Sequence, residues 1–135
     1  MAELMALEQC LEFLKHDNYL NVIIEANSEL VINSVKRISW GTGPEKVSRH
    51  WRLIRVFQRI QGYLQGLRTI RFNHVCRKAN KLADILANQG VNCNERRVSR
   101  GWKALPQGNL KVLCHNQAEE DREVYQNKAI ESRYQ

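Results

Sequence analysis

At 135 residues, 43% of them hydrophobic and 26% charged, the chain has the length of one globular domain and too many apolar side chains for a disordered one. No apolar run approaches the roughly 20 residues that cross a bilayer, and an acidic amphipathic segment starts directly after Met1, which speaks against a secretory leader. The four cysteines (Cys10, Cys76, Cys93 and Cys114) form no C-x-x-C pair, and Cys93 with Cys114-His115 fits no standard zinc spacing. Free thiols in a reducing compartment are therefore expected, which means an intracellular protein, nuclear or cytoplasmic, and not a secreted one.

Residues 2–16 read as a helix. Leu4, Leu7, Leu11 and Leu14 repeat at helical spacing, and Ala6, Cys10 and Phe13 widen the apolar arc, the breadth expected of a helix packed against a sheet. Glu3 projects near Leu7, Cys10 and Leu14 rather than with Glu8 and Glu12. It is either a carboxylate aimed at a site or a first-turn residue favoured by the helix dipole. Val22–Ala26 is a short β-branched run, expected as a buried strand. Asn27 or Ser28 then caps a helix running through Leu30, Val31, Val35 and Ile38.

Gly41-Thr42-Gly43-Pro44 breaks the chain, and a long helix is expected from Glu45 to Gln65. Leu53, Phe57, Ile60 and Leu64 form its apolar stripe, while Arg52, Arg55 and Arg59 share a different, cationic face. Trp40 and Trp51 flank this basic helix; packing in the core or at its rim is their expected fate, with stacking on nucleic-acid bases as the alternative. Arg68–Val75 alternates with a period of two and reads as a second strand. Arg77–Gln89 is the last clear helix, ended by Gly90. Arg77, Lys78 and Lys81 open it, where cations oppose the dipole and an anionic partner would relieve the cost. Residues 92–117 are polar and turn-rich, and 118–135 are an exposed helix or a disordered tail.

A strand, a helical crossover and a second strand imply a parallel pair joined by a right-handed connection. Parallel sheets want more strands and two covered faces, so further strands are expected before Met1. Charge is unevenly spread. Residues 1–35 hold six acidic residues and one lysine, whereas residues 36–81 hold twelve basic residues against Glu45 alone, a net of +11. Such a cationic block suits a phosphate backbone, whose condensed counterions it would release.

Three stretches carry a family resemblance: Ala2-Glu3-Leu4-Met5-Ala6-Leu7, then Ile23-Ile24-Glu25-Ala26-Asn27-Ser28, then His74-Val75-Cys76-Arg77-Lys78-Ala79-Asn80-Lys81-Leu82-Ala83-Asp84-Ile85-Leu86-Ala87. In that order they resemble the later part of a ribonuclease H domain of the plant and retroelement-derived, reverse-transcriptase-associated type. The resemblance implies an α/β ribonuclease H-like fold lacking its first three strands, with a parallel strand pair flanked by helices. It spans residues 1–91 as a partial domain, leaving 92–135 as a C-terminal extension.

That family hydrolyses the RNA strand of RNA–DNA hybrids with carboxylates that hold two magnesium ions. The resemblance makes Glu3 and Asp84 the matching catalytic and metal-binding carboxylates, while Asn27 stands at the position of a family aspartate and the first aspartate has no counterpart. Magnesium prefers hard anionic oxygens, and a pair of ions must activate water and stabilise the leaving oxygen. Asparagine offers one neutral carbonyl instead. The implied activity is therefore impaired, with weak magnesium binding and retained affinity for RNA–DNA hybrid or RNA. Arg52, Arg55, Arg59, Arg77 and Asn80 are the candidate nucleic-acid contacts, and His74 is expected to support the site. Two other functions remain: an active nuclease completed by a missing N-terminal segment, and a protein-interaction module whose open edge at Val22–Ala26 accepts a strand from a partner.

Overall fold

Leucines one helical turn apart set the first element. In a computed structural model describing residues 1–95, helix α1 runs Ala2–His16 and buries Leu4, Leu7 and Leu11. Glu3 in its first turn and Lys15 and His16 in its last both favour the helix dipole. The chain leaves α1 through Asn18, whose positive φ of 58° is a conformation asparagine tolerates better than most residues. Ala6 and Cys10, expected to widen the buried arc, are exposed, so the core-facing stripe is narrower than the sequence suggests. The chain divides into two compact units, Met1–His74 and Val75–Gln135.

In the first unit, strand β1 (Asn21–Ala26) pairs in parallel with β2 (Thr69–His74), with Ile24 opposite Phe72 and Ala26 opposite His74. The Leu20 carbonyl accepts from the amides of Arg68 (2.8 Å) and Thr69 (2.9 Å), which fixes where the pairing starts. Side chains alternate faces along a strand. Ile24 and Phe72 join the core, while Ile23, one residue earlier on β1 and on the opposite face, is 63% exposed. The expectation of a wholly buried β1 is thus corrected: β-branched composition marked the strand but not which faces it covers.

Helix α2 (Glu29–Ser39) begins where the Val31 amide donates to Ser28 Oγ (3.4 Å), so the serine and not Asn27 supplies the side-chain cap. It buries Ile32, Val35 and Ile38 and stops at Trp40, after which Gly41 takes a positive φ of 88° that a side chain would strain. Because the cap bond is long, Ser28→Ala is expected to cost about 0.5–1 kcal/mol of stability, read as a lowered urea midpoint.

The single helix expected over 45–65 is two. Pro44 starts the short α3 (Pro44–Val47), Ser48 turns extended, and its Oγ accepts from the His50 amide at 3.1 Å. A serine side chain that captures a nearby amide competes with the helical bond at that point. Helix α4 (Trp51–Leu64) then buries Val56, Phe57 and Ile60, and α1 packs against it. Leu14, Leu53 and Leu64 lie partly buried at the margin of the same core.

In the second unit the last helix, α5 (Lys81–Val91), starts later and ends later than expected. Arg77 and Lys78 lie in the turn before it, where the amides of Ala79 and Asn80 donate to Cys76 Sγ (3.4 Å) and its carbonyl (3.1 Å). Asn80 is the N-cap residue and Gly90 continues the helix to an Asn92 cap. Only Lys81 of the three cations opposes the dipole, and Asp84 in the same turn offsets it. The polar extension expected at 92–135 lies, from residue 96 onward, outside the described residues.

Candidate nucleic-acid interface

Helix α4 contains no acidic residue and carries three exposed arginines on the side away from its apolar stripe. Their surroundings differ. Arg59 is drawn back to α1, where its Nε and Nη2 both donate to the Glu8 carboxylate, the second at 3.1 Å. These hydrogen bonds hold the guanidinium pKa above its ordinary value. Arg59 is half-exposed, so this ion pair is worth only about 0.5–1 kcal/mol despite its two-pronged geometry. Glu8→Gln should cost no more than that in thermal or urea unfolding.

Arg52 and Arg55 instead gather around an aromatic ring. Their guanidinium carbons lie 5.2 and 5.5 Å from the Trp51 ring centroid, within cation–π range. The His50 ring lies 6.4 Å from the indole with planes 12° apart. Trp51 is 58% exposed, and Trp40 at the end of α2 is 78% exposed. The expectation that both tryptophans pack in the core or its rim is therefore corrected. Among the described residues the ion pairs are His16–Asp17 and Arg59–Glu8, so neither Arg52 nor Arg55 has a carboxylate partner there. Arg49, just before the helix, is exposed as well.

The sequence-predicted carboxylate positions fall in both units. Glu3 is exposed in the first turn of α1, and Asn27 is half-buried just beyond β1. His74 ends β2, and its Nε2 donates to the Asn27 carbonyl oxygen at 3.3 Å, tying the C-terminal ends of the two strands. Asp84 belongs to the second unit, half-buried in the first turn of α5, where its amide donates to the Asn80 carbonyl at 3.3 Å. Arg77 is exposed in the preceding turn. Among the described residues no three histidines, cysteines, aspartates or glutamates come together as a metal-holding group. Asn27 offers a neutral carbonyl oxygen, which magnesium prefers less than a carboxylate. Cys10, Cys76 and Cys93 are free, and no described helix is long and apolar enough to cross a membrane.

Sequence reasoning named Arg52, Arg55 and Arg59 as equals and missed their division into two jobs. It also left out His50, whose contact with Trp51 follows from adjacency at a helix start. No curated protein and no solved structure matches the chain. A family model described as reverse transcriptase-like matches residues 1–90, covering α1 and nearly all of α5 with the parallel strand pair between them. The chain therefore belongs to the reverse transcriptase-like family of ribonuclease H-like domains.

Proposed function

We propose that this chain is a ribonuclease H-like domain that binds nucleic acid through the cationic start of α4 and is impaired in hydrolysing RNA–DNA hybrids. The observation that carries the binding is the cluster of Arg52 and Arg55 around exposed Trp51, without a carboxylate partner among the described residues. Two guanidiniums left to solvent at the positive end of a helix dipole attract an anion, and phosphates accept their planar hydrogen-bond forks. Family membership supports nucleic acid as that anion. Arg77 and Asn80, at the start of α5, are proposed as further contacts in the second unit.

The impairment rests on Asn27. Glu3 and Asp84 retain their carboxylates, which would hold magnesium weakly, and one neutral oxygen replaces a charged one between them in the family order. Asn27→Asp is accordingly expected to raise magnesium-dependent hybrid cleavage on a gel, because it returns an anionic oxygen to that position. Robust magnesium-dependent cleavage by this variant would show that Asn27 alone was the lesion.

Binding is tested by fluorescence anisotropy of a labelled RNA strand at rising salt. Three arginines engaging phosphates predict a slope of log K against log salt of about −2. A salt-independent signal, or none, would refute the reading.

A second reading is favoured by one observation, the 63% exposure of Ile23 in the middle of β1. An apolar side chain on a strand with one described neighbour suits a protein partner that adds a strand. Concentration-dependent self-association in sedimentation, reduced by Ile23→Thr, would support it.

A further inference from the structure

The arrangement around Trp51 says more about the nucleic acid than its charge alone. We propose, resting on the nucleic-acid reading above, that Trp51 is a stacking platform for an unpaired base, and that this surface selects single-stranded RNA or DNA over duplex. In a duplex both faces of every interior base are covered by neighbouring pairs, so an exposed indole finds a base face only on a single strand, a bulge or an end. Trp51 offers such a face: 58% of the residue is open to solvent although two guanidiniums lie within 5.5 Å of the ring centroid. Both guanidiniums lie over the ring and the His50 ring is stacked near it, but all three side chains are exposed and can swing aside for a base. Once displaced, the arginines would be free to engage the phosphates of the stacked nucleotide.

The cations of α4 agree. A duplex is gripped by charges spread far enough to reach both backbones, but Arg59, the arginine that would lengthen the stripe along α4, is held by Glu8. What remains on this helix is Arg52 and Arg55 over one aromatic ring, with exposed Arg49 just before the helix. The first turn of α4 adds to it, having neither an acidic residue nor a side-chain cap hydrogen bond. A short, aromatic-centred cationic patch fits a few nucleotides of one strand, with little regard for their sequence because every base has a π face.

The experiment compares the full chain with its Trp51→Ala and Trp51→Phe variants, using labelled short single strands of RNA and of DNA. An abasic strand of the same length and a blunt RNA–DNA hybrid serve as controls, all at one moderate salt concentration. The expected result is that single strands bind about tenfold or more tightly than the abasic strand and the hybrid. Trp51→Ala should erase that advantage while shifting abasic and hybrid affinities less than about twofold, and Trp51→Phe should keep most of it. Whichever of RNA or DNA binds more tightly identifies the natural strand, and tight binding of either supports the proposal. Equal binding of abasic and natural strands, or a hybrid that outcompetes the single strand, overturns the platform while leaving phosphate binding intact. No binding of any probe overturns both the platform and the nucleic-acid reading. Trp51 is on the surface, so circular dichroism of the variants should match that of the parent.

Discussion

Replacing Ile60 with alanine is expected to destabilise the first unit by about 2–5 kcal/mol. Ile60 is 0% exposed, sits on the buried side of α4, and belongs to the same apolar cluster as Leu7 and Leu11 of α1 and Ile32 and Val35 of α2. Truncation there removes apolar contact and leaves a cavity that neighbours on several elements must collapse to fill. A small domain holds only about 5–15 kcal/mol in all, so the variant should unfold at markedly lower urea with an unchanged slope. Ile60→Val removes one methyl group and should cost about 0.5–1.5 kcal/mol, giving a graded control if the alanine variant is too unstable to purify. A loss below about 0.5 kcal/mol for Ile60→Ala, the range of ordinary surface changes, would contradict the α1–α4 core.

The double variant Arg52→Ala/Arg55→Ala is expected to weaken binding of labelled RNA by about tenfold or more and to flatten the salt slope by about 1.4. Both side chains are exposed and free of carboxylate partners among the described residues, so their loss should not unfold the chain. Arg59→Ala makes the informative comparison. That guanidinium is already engaged by Glu8, so removing it should change affinity less than either neighbour does. Glu8→Gln works in the opposite direction, releasing Arg59 and removing a negative charge from the vicinity. It should strengthen binding modestly at low salt, and the gain should vanish as salt is raised.

Local patterns made most of the elements legible. The leucine spacing of α1, the β-branched run of β1, the alternation of β2 and the serine before α2 all report on neighbours a few residues away, and all appear in the structure. The break at Ser48 was not legible. A serine within a helical pattern looks harmless until its hydroxyl captures the His50 amide. Gly90 misled in the opposite direction, as a glycine near a helix end that the helix runs through.

Trp51 is the instructive failure, because its bulk suggested burial while its phase did not. Nine residues separate it from Ile60, which at about 100° per residue puts the two on opposite sides of α4. The exposure was therefore in the sequence, hidden by treating residue type as stronger than position. The Arg59–Glu8 pair was different, joining residues 51 apart on two helices, and no periodicity within either helix foretells it. The carboxylate positions were legible as residue types, and Glu3 and Asp84 fall in different units of the chain. Ligand identity is local information, whereas the gathering of ligands is tertiary.

The claim that this ribonuclease H-like chain binds nucleic acid without efficiently cutting it is tested most directly by one time course. A labelled RNA–DNA hybrid is mixed with the protein in magnesium buffer, and its anisotropy is followed beside that of a protein-free control. The account predicts a rise on mixing that then holds, with intact RNA recovered at the end. A rise that decays below the free-hybrid value as fragments are released would contradict it, since Asn27 would then be no barrier to hydrolysis. The absence of any rise, at low salt and with the chain folded, would contradict the binding half of the claim.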